Sequence, residues 1–396
     1  MKRRVLYLEH STDGTVGGSH LCLLEICRHI DQNKYQPVVC FFEENSLIPA
    51  FEGVGAEVFV LRLPGNWLPP ATFPKAIGRI FAFAVNLFIT LAVRTRLWIG
   101  VLRQKRVDLV HINNACGYDH DLMLASRLMG KPCVVHERGI QQKIDRRTRF
   151  FANRVDRILA ISDAVADNLK RQGIKPDRIV RIDDGIDEAR FRQFESLDRL
   201  RRRLGLPADV PVIGIVGNIK HWKGQHVVVE AVGCLVRSFP DLRCLMVGSV
   251  ADERYFHQLL SRARELGIPE GTILFTGYEP HPADAMRAMD VVIHASVEPE
   301  PFGIVLLEAM GTARPLIATN IGGPKEIVVH GETGLLIPAG DPDALTAAVT
   351  ALLVDPERAS RMGEDGRIRY FERYTAQRTV TAIQREYEQL IRVQAR

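Results

Sequence analysis

The chain has no uninterrupted apolar run of about twenty residues, the length a bilayer-crossing helix needs. Its most apolar stretch, Ile80 to Arg106, is cut by Arg94 and Arg96 and closes on Arg103, Lys105 and Arg106. That segment reads as a long helix of a folded domain, and its basic end makes an anionic membrane surface a candidate contact. Strong charge imbalance is also missing. A net charge of +5 over 396 residues accommodates an anionic small ligand or a lipid headgroup. No nucleic-acid motif is present, so nucleic acid is not an expected partner. The seven cysteines, Cys22, Cys27, Cys40, Cys116, Cys133, Cys234 and Cys244, stand mostly in apolar surroundings and show no zinc-site spacing. They read as reduced core residues of a cytosolic protein. The start, MKRRVLYLEHSTDG, has only a short apolar run and reads as a first strand, not a signal peptide. The full Gly-x-Gly-x-x-Gly fingerprint does not follow that strand, which argues against NAD.

What is present is alternation. With 46% hydrophobic residues the chain is long enough for two domains, each with its own core. In the first half RVLYLEH, QPVVCFF, DLVHINN, CVVHE, RILAIS and RIVRI read as strands, separated by helical patterns such as SHLCLLEICRHI and DLMLASRLM. The second half repeats the theme with PVIGIVG, LRCLMVG, TILFTG, DVVIHAS and PLIAT around QHVVVEAVGCLVRSF. Such alternation predicts parallel sheets covered by helices. The charged segment from Phe191 to Pro211 separates the halves, so the expected organisation is a domain over 1–200, a second over 201–374, and a terminal helix over 375–396. Ligands of open α/β sheets bind beyond the carboxyl ends of the strands, and two such domains facing each other would form a cleft.

The densest chemistry lies between Ser296 and Gly340. Glu300 and Glu308 stand around a Phe302-Gly303 turn, with Glu300 expected in the loop after strand DVVIHAS and Glu308 about two turns into helix GIVLLEAM. A helix start offers unpaired N–H groups and partial positive charge to a diphosphate, while carboxylates suit hydroxyls. Glu300 would take a sugar hydroxyl, and Glu308 both hydroxyls of a ribose. Lys223, in the strand-to-helix loop VGNIKHWKGQ, is the first candidate to stabilise a leaving diphosphate. His136 ends the strand CVVHERG, and Gly17 and Gly18 form a glycine-rich first loop able to approach phosphate or substrate closely. His111, Asp119, His120 and Asp121 cluster without any standard metal spacing and read as lining the acceptor side, where Asn113 and Asn114 are the better candidates.

The run Glu300-Pro301-Phe302-Gly303 to Glu308-Ala309-Met310, followed by Gly322-Gly323-Pro324-x-Glu326 and Gly331-x-x-Gly334, strongly resembles glycosyltransferase family 4. RILAISDAVADNL and IDDGIDEARF look like that family's domain-closing segments, so the resemblance covers nearly the whole chain. It implies the GT-B fold of two Rossmann-like doubly wound domains facing each other across a cleft, and sugar transfer from a nucleotide donor with retention of anomeric configuration. By the resemblance His136, Lys223 and Glu300 would be catalytic. Gly17, Gly18, Asn218, Lys220, Phe302, Gly303, Ile304 and Glu308 would bind the donor, and Asn113, Asn114 and Arg138 would face the acceptor. Asn218 stands where the family usually carries Arg, with Lys220 the nearest substitute cation. Gly322 and Gly323 read as structural supports of the donor loop.

The resemblance further implies same-face attack, the leaving diphosphate itself taking the acceptor proton. No Asp-x-Asp motif sits where a metal-dependent glycosyltransferase would need it, so no metal and no cofactor beyond the donor are expected. The expected partners are a nucleotide-sugar donor, a saccharide or lipid-linked acceptor and an anionic membrane surface. The expected location is the cytoplasm, at the inner face of the membrane, in polysaccharide, lipopolysaccharide or glycolipid assembly. The competing readings are a sugar-nucleotide epimerase or phosphorylase of similar architecture, and a non-catalytic sugar-nucleotide-binding protein.

Overall fold

The computed structural model describes residues 2–10, 18–63, 76–191 and 195–394, the side chains of 76–88 and 394 excepted. Two compact units divide the chain. The first holds Met1–Asp183 and Ala376–Arg396, the second Asp184–Thr375.

The sheet of the first unit contains β1 (Arg3–Glu9), β2 (Tyr35–Phe41), β3 (Glu57–Val60), β4 (Leu109–Ile112), β5 (Cys133–Glu137), β6 (Arg157–Ala160) and β7 (Ile179–Arg181). Their order is β3-β2-β1-β4-β5-β6-β7, and every pairing is parallel. The central strands are buried on both faces, which is why they read as continuous apolar runs instead of alternating ones. The helix Ala376–Gln394 joins this unit. Its Val380, Ile383, Tyr387 and Leu390, at helical spacing, enter the same core as Val5, Tyr7, Leu23 and Phe41. Each such buried side chain contributes about 1.5–3 kcal/mol.

The second unit holds β8 (Val212–Val216), β9 (Arg243–Val247), β10 (Ile273–Gly277), β11 (Val291–His294), β12 (Leu316–Thr319) and β13 (Leu335–Ile337). The order β10-β9-β8-β11-β12-β13 is again all parallel. Helix Gln225–Leu235 packs Val228, Val232 and Leu235 onto Ile213, Ile215 and Met246. Both units are thus doubly wound α/β folds, the class read from the sequence. β3 and β13 escape that reading because one is only half-buried and the other only three residues long.

Strand order fixes where ligands can sit. In the first unit β2 follows β1 on one side while β4 lies on the other, and in the second β9 and β11 flank β8 in the same way. The crevice beyond the carboxyl ends at such a reversal is the natural binding position of an open sheet.

The joint expected near Leu200 falls inside helix Leu197–Arg203 of the second unit. That helix buries only Leu200 and exposes Arg199, Arg202 and Arg203, so it has the composition of a linker although it is a packed element. The long helix Ala76–Gln104 buries Trp98 and Leu102. At its basic end Lys105 is bound to Glu57 at 2.8 Å. No helix of the described residues is long and apolar enough to cross a membrane.

Candidate active site

After β8 the chain runs through Asn218 and Lys220, both exposed, to Lys223 and Gly224. Gly224 has a φ of +76°, and a Cβ there would stand 1.9 Å from the carbonyl oxygen of Ala295. Only glycine lets this loop lie against the end of β11. The Val297 N–H donates to the Trp222 carbonyl at 2.9 Å, tying the two loops together.

Their convergence brings Lys223 Nζ to 2.9 Å from Glu300 Oε1. On the other side of the carboxylate His294 Nε2 lies 2.6 Å from Oε2, and Ser296 Oγ donates to the same oxygen at 3.1 Å. The opposite ring nitrogen of His294 is 3.4 Å from Thr319 Oγ1, at the end of β12. Burial by itself would raise the Glu300 carboxyl, but the hydrogen bond and charge of His294, together with the Lys223 ammonium, outweigh it and hold the group well below the usual carboxylate range.

The main chain of this loop is clamped from behind. Gly323 N–H donates to the Glu300 carbonyl at 2.8 Å. A Cβ on Gly322 (φ +65°) would stand 2.3 Å from that oxygen, and one on Gly323 2.5 Å from Phe302 Cα. The two glycines are therefore supports of the Glu300 loop. Phe302 is buried against the Tyr374 ring. Gly303 (φ +111°) is the N-cap of helix Ile304–Gly311, whose first N–H groups have no partner within the helix.

Glu308 is the fifth residue of that helix, slightly more than one turn in and not two. It is buried, and Arg190 Nη2 lies 2.5 Å from its Oε1. Arg190 belongs to the short 3-10 helix Glu188–Phe191 within the same unit. Nothing in the spacing of residues 190 and 308 announces this pair. The spacing of motifs does not single out His294 or Ser296 either, although a polar residue ending an otherwise apolar strand is a signal for them.

In the first unit a separate cluster occupies the reversal between β1 and β4. Glu9 and Asn113, both fully buried, end those strands, and Asn113 Nδ2 donates to Glu9 and, at 3.1 Å, to the Ser19 carbonyl. Arg138 Nη2 donates to Asn113 Oδ1 at 3.1 Å and stands 3.2 Å from His136 Nδ1. His136 is fully buried in β5, its ring 5.4 Å from that of His111. Burial, with the Arg138 and His111 charges adding to it, holds His136 well below its ordinary pKa, so the ring is neutral at physiological pH. Asn114 Nδ2 donates to the His10 carbonyl at 3.0 Å. Gly18 opens helix Gly18–His29, where an added Cβ would meet no atom of the described residues within 4 Å, and Gly17 lies outside the described residues. Asp119, His120 and Asp121 have separate partners: the His10 ring for Asp119, the Phe151 ring for His120 and the Leu122 N–H for Asp121.

Residues 16–190 match the model of Glycosyltransferase Family 4, and residues 197–369 that of Glycosyl transferases group 1. The chain belongs to glycosyltransferase family 4. Among curated relatives of this glycosyltransferase, the D-inositol 3-phosphate glycosyltransferase of Corynebacterium glutamicum (strain R) is 34% identical over 52% of this chain and 51% of its own length. The chain thus spans about half of that relative. The lipopolysaccharide core biosynthesis mannosyltransferase LpsB of Rhizobium meliloti (strain 1021) is 28% identical over 68% of this chain and 76% of its own. Among solved structures Anabaena Alr3699/HepE, crystallised in complex with UDP, superposes with a TM-score of 0.81 at 23% identity, covering 98% of this chain and 100% of that one. At that identity the likeness is one of fold, and the fold is GT-B.

Proposed function

We propose that this glycosyltransferase holds a nucleoside-diphosphate sugar at the β8/β11 reversal of its second unit and passes the sugar, with retention of configuration, to an acceptor hydroxyl. The observation that carries this reading is the 2.9 Å contact of Lys223 with Glu300, in the loop that leads into the amino end of helix Ile304–Gly311. An ammonium and the N–H donors of a helix start suit a diphosphate, and an ionised carboxylate suits sugar hydroxyls. UDP in the HepE complex supports a nucleotide as the donor carrier.

In the proposed step the bond from C1 to the diphosphate oxygen breaks while a bond from C1 to the acceptor oxygen forms on the same face. The acceptor proton passes to the departing diphosphate. Lys223 stabilises the charge growing on that diphosphate, with Lys220 and the Asn218 side chain or backbone nearby. Glu300 orients the sugar, and Glu308, steadied by Arg190, takes the ribose hydroxyls. Phe302, Gly303 and Ile304 shape the loop and the helix start that meet the phosphates. The first unit serves the acceptor through Asn113, Asn114 and Arg138, with a neutral His136 and the loop of Gly17 and Gly18. No step requires a metal.

The name of LpsB supports an acceptor in lipopolysaccharide assembly, and the reading extends to saccharide or lipid-linked acceptors of polysaccharide or glycolipid assembly and to a cytoplasmic protein peripheral to the inner face of the membrane. The test is incubation with a panel of nucleoside-diphosphate sugars with and without acceptor. Release of nucleoside diphosphate that depends on acceptor is the expected result. Turnover of donor alone would point to an epimerase, a requirement for inorganic phosphate to a phosphorylase, and binding without turnover to a non-catalytic protein.

A further inference from the structure

The carboxyl edge of the first unit's sheet carries the cluster of Glu9, Asn113 and Arg138, but basic residues gather at its other edge. A groove of about 530 Å³ is lined by Arg127, Arg146, Arg149, Arg154, Lys175 and Arg178. Arg127 precedes β5, Arg154 precedes β6, and Lys175 and Arg178 precede β7, so sheet topology gathers them from separate stretches of chain. Arg178 is 3.6 Å from Asp177, but the other five form no ion pair among the described residues. Cations elsewhere on this unit do find acids, as Arg157 with Glu386 and Lys34 with Glu388. Several like charges around one concavity repel one another, and an anion relieves that repulsion.

A second observation gives the anion its character. An apolar pocket of about 120 Å³, lined by Met123, Leu124, Phe151 and Val155, adjoins the groove and shares Arg127, Phe150 and Arg154 with it. The Arg154 guanidinium lies 3.6 Å above the Phe150 ring. Phe150 is 51% exposed and Leu128, next to Arg127, 64%. Guanidinium forks suit phosphate oxygens, whereas exposed apolar side chains beside them suit an acyl region.

We propose that this groove is the surface by which the protein binds the phosphate headgroups of an anionic lipid bilayer, with Phe150 and Leu128 inserted at the headgroup boundary. The proposal deepens the peripheral-membrane reading above. It assigns binding to the groove and not to the basic end of the long helix.

The experiment is co-sedimentation of the full chain with vesicles of phosphatidylglycerol mixed with phosphatidylcholine. The parent sediments with them, weakens with added salt, and stays in solution with phosphatidylcholine alone. Arg149→Glu/Lys175→Glu, both at exposed positions, reduces partitioning by about tenfold or more. Its UDP titration and thermal unfolding match the parent. Leu128→Ser/Phe150→Ser lowers binding as well while leaving the salt dependence in place, which keeps the test open should the charge-reversed variant fold poorly. Arg103→Glu/Arg106→Glu binds like the parent. Loss of binding in that control but not in the groove variants overturns the assignment and leaves membrane attachment standing. No binding to anionic vesicles removes both. Equal competition by soluble glycerophosphate replaces the lipid with a free phosphate ester and also overturns the proposal.

Discussion

Lys223 and Glu300, 77 residues apart in the chain, meet at 2.9 Å because a glycine at 224 lets the loop after β8 rest on the end of β11. The contact joins the group suited to a diphosphate with the group suited to a sugar, on two loops that flank the strand-order reversal.

Lys223→Ala should lower turnover more than it lowers donor affinity, since the ammonium matters most when charge has built up on the leaving group. The expected loss in kcat is about 10²–10³, the scale for removing one stabilising donor. Steady-state kinetics checks it, and a kcat equal to the parent's would reject the role.

Glu308→Ala should weaken nucleotide-sugar binding by about 1–3 kcal/mol, the range for charge-assisted hydrogen bonds. Arg190→Met should also weaken it, and in addition destabilise the second unit by about 3–5 kcal/mol, because it strands a buried carboxylate. Calorimetry and chemical unfolding separate the two effects. Unchanged binding in Glu308→Ala would remove the ribose assignment.

His294→Leu should move the acid limb of kcat/KM to higher pH. In the parent, Glu300 is held below its ordinary value, foremost against burial by His294 and then by Lys223. Loss of the imidazole lets its pKa climb. His294→Gln, which restores a donor, should recover part of the shift. An unmoved profile in His294→Leu would reject the positioning role.

The same depression makes stability depend on pH. Unfolded glutamate titrates at about 4.3, and the folded Glu300 titrates below that. Its contribution is therefore fully present above about pH 4.3 and is lost as pH falls through the folded value. Thermal unfolding across the acid range should show the parent's advantage over Glu300→Gln shrinking within that window.

Gly322→Ala should lower both unfolding temperature and donor affinity. The new Cβ would press to 2.3 Å from the Glu300 carbonyl at a φ of +65°, a strain of about 1–3 kcal/mol that the Glu300 loop must absorb. Differential scanning fluorimetry with and without UDP reads both.

Much of this was legible in the residues themselves. β8 and β11 stood out as unbroken apolar runs, and Lys223 and Glu300 could be singled out because each follows such a run in a glycine-bearing loop. The doubly wound class followed from alternation. What stayed hidden depends on contacts between distant segments. Arg190 sits 118 residues from Glu308 in a stretch with no periodicity to aim it. His294 passed as the end of a strand, although its ring reaches from Thr319 to Glu300. The division of the chain at Asp183–Asp184 was obscured by a helix, Leu197–Arg203, that exposes most of its charge.

The pairing of Glu308 with Arg190 ties the acid proposed to hold the ribose to the first helical turn of the second unit. A ribose taking hold of that acid would share it with the guanidinium, so residues 188–191 should sense whether the donor is aboard. Slower amide hydrogen exchange there on adding UDP would make this short turn a built-in reporter of loading.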